Sequence, residues 1–163
     1  MTEITNLQRR RIQAEIVKPI HDELVAVLGR EAARDLLARA VSRSVQTEAR
    51  QAAATASGQG RDMTDFASRF EQTYLNRGPE AGLDIEALRS DAGHLDFNVT
   101  RCRFVEMYAE LGLGDIADVL SCNRDGAFAS EFDRNITLDR AQTIAHGAPC
   151  CTFRYTYRGE SEK

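Results

Sequence analysis

The residues that could do chemistry gather in three cysteine segments of the last third: FNVTRC ending at Cys102, SCNRD around Cys122, and HGAPCCTFRY around Cys151. Cys102 and Glu106 lie four apart on an expected helix, so they share a face. Cys102 also stands near that helix's N-terminus, where unpaired amides favour a thiolate. The pair reads as a nucleophilic thiol beside a carboxylate, weighed against a thiol packed like a small apolar side chain. Cys122-Asn123-Arg124-Asp125 falls between two expected helical pieces. Asp125 either caps the second piece or edges a polar pocket with Cys122 and Asn123. In the pocket reading Cys122 attacks an electrophilic carbon, Asn123 donates to the developing charge, and Asp125 orients or moves a proton.

Cys151 alternates with Phe153 and Tyr155 on an expected strand, so it belongs to the core face. Arg140 and Thr143 fall on the expected partner strand. Arg140 has the donor fork that clamps a carboxylate, against the blander reading of a surface ion pair. No histidine stands beside a cysteine at a spacing that marks a dyad. Cys150-Cys151 is an adjacent pair rather than C-x-x-C, which argues against a zinc knuckle. The scheme requires no cofactor.

These segments need elements to hold them. Leu7, Ile12, Ile16, Ile20, Leu24 and Leu28 give a first helix with one apolar stripe, kinked or restarted at Pro19 and stopped at Gly29. A second helix, rich in Ala and Arg, runs from Glu31 to about Thr55 and is broken by Ser57-Gly58-Gln59-Gly60. A third, capped by Asp62 or Thr64, carries Phe66, Phe70 and Tyr74 on one face. From Leu83 the period changes to two. A hairpin turns at Asp91–His94, and Thr100 caps a helix over Arg101–Leu111. Short helices follow, one from Asp115 to Cys122 and one over Gly126–Phe132. A second hairpin pairs a strand over Ile136–Ile144 with Cys151–Tyr157. The expectation is a single α+β domain over 1–163. Its helical layer spans 5–77 and packs on a four-stranded antiparallel sheet, with helices inserted between the two hairpins of 83–157.

Composition narrows the function. The net charge is −4, and the 21 basic residues are scattered among 25 acids, so nucleic acid is an unsuitable partner. Arg9-Arg10-Arg11 reads as a solvated first turn. No apolar run approaches the roughly 20 residues of a membrane helix, and no leader is evident. The expectation is a cytoplasmic protein with reduced thiols and a small-molecule substrate. The long Ala/Arg helix suits self-association, though solvation explains it as well.

Taken in order, DFNVTRCRFVEMYAELGL, SCNRD, the Phe132 segment and ITLDRAQTIAHGAPCCTFRY resemble the L-2-amino-thiazoline-4-carboxylic acid hydrolase family over about residues 95–157. The resemblance implies a small hydrolase that opens a cyclic isothiourea amino acid at a C–N or C–S bond. Matching positions include Thr100, Cys102, Glu106, Cys122, Asp125, Arg140, Thr143, Cys151 and Phe153. It adds weight to Cys122 as nucleophile with Asp125 as acid/base, to Cys102 and Glu106 as the next candidates, and to Asn123, Arg140, Thr143 and Cys151 as substrate-binding. One departure stands out: Thr152 occupies the position after Cys151 where the family often has Asp. The ending Gly147…Cys151-x-Phe153 also resembles the 4-vinyl reductase type of domain, which implies a ligand-binding or sensor module without turnover.

Overall fold

The computed structural model describes residues 4–55 and 62–159. The Ser57–Gly60 breaker lies outside the described residues. Three helices come first: α1 (Asn6–Leu28), α2 (Arg30–Ala54) and α3 (Met63–Thr73). The hairpin β1 (Leu83–Ser90) and β2 (His94–Cys102) leads into α4 (Arg103–Glu110) and α5 (Asn123–Phe132), and then β3 (Ile136–Asp139) and β4 (Cys151–Tyr157). The sheet is antiparallel in the order β1-β2-β4-β3. The protein is therefore α+β, as its periodicities indicate.

Local chemistry explains the boundaries. Thr5 and Gln8 close α1 with a reciprocal capping box, satisfying two amides that would otherwise lack partners. Gly29, at φ 81°, ends it in a conformation that costs a residue with a side chain energy. Asp62 accepts from the Asp65 amide and starts α3. Gly82 is required for another reason: a Cβ there would lie 2.7 Å from the Phe104 ring.

Alternation on β2 and β4 builds the core. Leu95, Phe97 and Val99 sit opposite Tyr155, Phe153 and Cys151, and all six are buried. Phe97 stacks on Phe153 at 4.7 Å between centroids, and Phe70 of α3 stacks on Phe97 at 4.4 Å. Burial of each such ring contributes roughly 1.5–3 kcal/mol. One contiguous apolar cluster takes side chains from α1 through α5 and from the sheet.

Several expectations are corrected. α1 runs through Pro19 without a break. Pro19 is exposed, so the carbonyl that loses its partner one turn earlier can bond water. The Ile stripe of α1 is not its packing face, because the buried residues are Arg10, Ala14 and His21. Thr100 is not a cap. It stays on β2, which runs two residues further, and its hydroxyl donates to the Asp84 carbonyl. The segment before α5 is a 3-10 turn at Gly114–Ile116 followed by a π-helical turn at Asp118–Cys122, and α5 begins at Asn123 rather than Gly126. β3 stops at Asp139, so Arg140 and Thr143 lie beyond the strand. Among the described residues no helix is long and apolar enough to cross a membrane.

Candidate functional site

A cavity of about 590 Å³ opens between the N-terminal turns of α1, the last half of α2, α3 and α5, with Tyr155 of β4 at its floor. Its size falls within the roughly 300–1,000 Å³ usual for small-molecule sites. Five arginines (Arg9, Arg10, Arg69, Arg77 and Arg124) line it, against the two acids Glu48 and Asp125. Phe66, Phe70, Phe128 and Tyr74 supply apolar wall.

Asp125 is the carboxylate at the bottom. It stands in the first turn of α5 and accepts from Arg140 Nη1 at 2.6 Å through Oδ2. The second arm of the Arg140 guanidinium donates to the Cys122 carbonyl at 2.8 Å, and its plane lies 5.0 Å from the Phe153 ring centre. Arg140 therefore holds the π-helical turn, the start of α5 and β4 together. About a third of the Asp125 side chain stays open to the cavity. Burial pushes its carboxyl above the usual range, against the pull of Arg140, Arg124 and Arg10.

The opposite wall is cationic. Arg10 and Arg124 both reach Glu48 Oε2, at 3.4 Å and 2.5 Å. Arg10 is buried, and its other arm donates to Gln13 at 2.8 Å. Burial lowers the Arg124 pKa, and the neighbouring Arg10 charge lowers it further. Two guanidiniums around one half-exposed carboxylate leave positive potential unneutralised. Asn6 donates to the Tyr74 hydroxyl at 2.9 Å, and burial raises the Tyr74 pKa to about 12, so the phenol stays neutral.

The thiols lie behind this cavity and do not line it. Cys102, Cys122 and Cys151 converge closely enough for Cys102 and Cys151 to act electrostatically on Cys122, and Asp125 acts on all three. Burial is the largest influence on each. It pushes Cys102 up to about 11 and Cys122 up to about 12. At Cys102 the amides of Phe104 and Val105 pull the other way but do not win. The expected thiolate at the start of α4 is thus a neutral thiol, because desolvation of the core outweighs a few helix amides.

The other sequence candidates are placed as follows. Glu106 is half-exposed and held by both arms of Arg101 at 2.7 and 3.1 Å, away from the buried Cys102. Asn123 is exposed and does not line the cavity. Thr143 is buried and shares a 3.0 Å hydrogen bond with His146 Nδ1, while His146 Nε2 lies 3.3 Å from Asp118. Asp118 is also paired with Arg34 of α2. The Cys151 sulfur accepts from the Ile144 amide at 3.2 Å. Arg140 binds Asp125 internally rather than facing the cavity. Among the described residues no set of three or more His, Cys, Asp or Glu side chains comes together as metal ligands.

Arg10, Arg124 and Glu48 are cavity residues that sequence reasoning missed. The Arg9-Arg10-Arg11 triplet reads as solvated, yet its middle member is buried against the cavity. The available signal is its spacing to Ala14, Val17 and His21, which places all four on one side of the helix.

The fold and cavity make this an α+β protein with a charged recess suited to a small ligand. A family model described as L-2-amino-thiazoline-4-carboxylic acid hydrolase matches residues 9–155, and the chain belongs to that family. Among solved structures it is similar to the phenol-responsive sensory domain of the transcription activator PoxR, crystallised with phenol. The TM-score is 0.53 at 18% identity, over 88% of this chain and 74% of that one. At that identity the likeness is one of fold. No curated protein matches the chain.

Proposed function

We propose that the protein hydrolyses a small cyclic amidine- or isothiourea-like substrate bearing a carboxylate, with Asp125 as general base and then acid. The carrying observation is a half-buried carboxyl that opens into a cavity whose remaining charged wall is mostly arginine. The substrate carboxylate binds between Arg10 and Arg124, relieving their mutual repulsion. Asp125 takes a proton from water as the oxygen attacks the carbon between nitrogen and sulfur. The tetrahedral carbon then releases either its sulfur or its ring nitrogen, and that atom receives the proton from Asp125. One water is consumed and the ring opens. A base with its pKa raised toward neutrality is better matched to this transfer than an ordinary aspartate.

Cys122 is the covalent alternative, and its thiol near 12 leaves roughly one molecule in 10⁵ ionised at neutral pH. That fraction favours direct attack by water. The test is incubation with L-2-amino-thiazoline-4-carboxylate and its cyclic homologues. A new free thiol reports C–S cleavage and a new amine reports C–N cleavage. Asp125→Asn lowers the rate at least about 100-fold, whereas Cys122→Ala leaves it within a few-fold. The reverse pattern overturns the assignment.

A second reading has its own observation: the fold shared with a phenol-responsive sensory domain, and a cavity with Phe66, Phe70 and Phe128 in its wall. In this reading the protein binds a small ligand without turnover. Saturable binding of the thiazoline by calorimetry, with substrate recovered intact, would favour it.

A further inference from the structure

We propose that the outward face of α1 is a self-association surface on which a second copy of this chain packs antiparallel. The core side of α1 is Arg10, Ala14, Val17 and His21. On the opposite side lie Ile12, Ile16 and Ile20, exposed by 53%, 62% and 50%. Single exposed apolar residues are ordinary. Three isoleucines at i, i+4 and i+8 form a continuous row, and such rows mark contact surfaces. No other described segment covers them.

The charges at the ends of the row identify the occupant. Arg9, exposed and also bordering the cavity, precedes Ile12 by one turn, and Glu23 follows Ile20 by one turn, both on the side of the helix that carries the isoleucine row. Among the described residues neither forms an ion pair. A two-fold axis through Ile16 sets Ile12 on the second copy's Ile20 and Arg9 opposite its Glu23. Ile16 then meets its own counterpart. A parallel arrangement instead sets Arg9 on Arg9 and Glu23 on Glu23. The row is thus complementary to itself in one orientation, the property that an isologous dimer needs.

Size sets the strength. A 23-residue helix is about 34 Å long. One such helix pair covers less than the roughly 1,600 Å² of a standard stable interface. The association is therefore concentration-dependent, in the micromolar range.

Sedimentation velocity on the full chain over about 1–200 μM tests this. The expected result is a monomer–dimer equilibrium. Ile16→Glu sets two like charges on the axis and weakens it by more than about tenfold. Arg9→Glu and Glu23→Arg each weaken it, and the double reversal R9E/E23R restores it to within a few-fold. Circular dichroism checks that helix content is kept. If Ile16→Glu loses helix content, the exposed charge reversals decide. A monomer at every concentration overturns the proposal, including one that instead sediments with neutral lipid vesicles. A dimer indifferent to all three single changes overturns it as well.

Discussion

The two sides of Arg140 are built from different chemistry. Toward α1 and α2 lie acidic and basic side chains around an open cavity, Asp125 with Arg10, Arg124 and Glu48. Toward the sheet lie Cys102, Cys122 and Cys151, packed among apolar side chains with their thiols held neutral. The cysteines have the more reactive side chains by type, yet it is the aspartate that lines the cavity. A thiol becomes a nucleophile only where its surroundings favour the anion. Here burial dominates and works against it. A carboxyl gains as a base from the same burial, because its pKa rises toward neutrality.

The Arg140 guanidinium is the boundary between the two sides. Arg140→Ala removes the cation hydrogen-bonded to the half-buried Asp125 and frees the Cys122 carbonyl. Stability should fall by about 3 kcal/mol, read as a shift in the urea midpoint, and activity should fall with it. A loss under about 0.5 kcal/mol, the ordinary scale of a surface substitution, would mean that the two sides are not joined through this guanidinium.

A smaller effect sharpens the cavity side. Arg10→Gln removes one charged donor from the anion wall and leaves a shorter, neutral polar side chain in its place. KM for a carboxylate substrate should rise about tenfold or more while kcat changes little, since the contact is the same in ground and transition states. An ester of the substrate should be indifferent to the change. Equal losses in kcat and KM for acid and ester would show that Arg10 serves stability rather than binding.

The smallest effect is on the thiol side. Alkylation of Cys122 should be slow at pH 7 and rise about tenfold per pH unit, because a raised thiol pKa leaves the reactive anion scarce until pH nears about 12. Cys102 should follow the same course toward about 11. Rapid labelling of Cys122 at pH 7, blocked by substrate, would reverse the roles of the two regions.

Much of the fold was legible along the chain. The period-two alternation of Leu95–Val99 and Cys151–Tyr155 sets the two central strands. Asp62, Gly29 and the Asp91–Gly93 turn punctuate the chain by local hydrogen bonding and backbone freedom. The family resemblance, read over about 95–157, holds over 9–155. Of the candidate residues, Asp125 lines the cavity. Asn123 faces solvent, Glu106 is claimed by Arg101, and Thr143 belongs to a hydrogen-bonded chain through His146 to Asp118. Those partners lie 5, 3 and 28 positions away, and nothing in the spacing of the cysteine segments singles them out.

What the sequence determined by itself is therefore the set of elements, because periodicity, caps and turn residues act within a few positions of each other. The tertiary structure decided which side of each helix meets the core and which ionisable groups keep their charge. On α1 it turned the isoleucines outward and buried Arg10, Ala14 and His21 instead, the side that packs against the rest of the molecule. Desolvation then acts on whatever that packing encloses, and it is a property of the whole neighbourhood rather than of any residue in the chain.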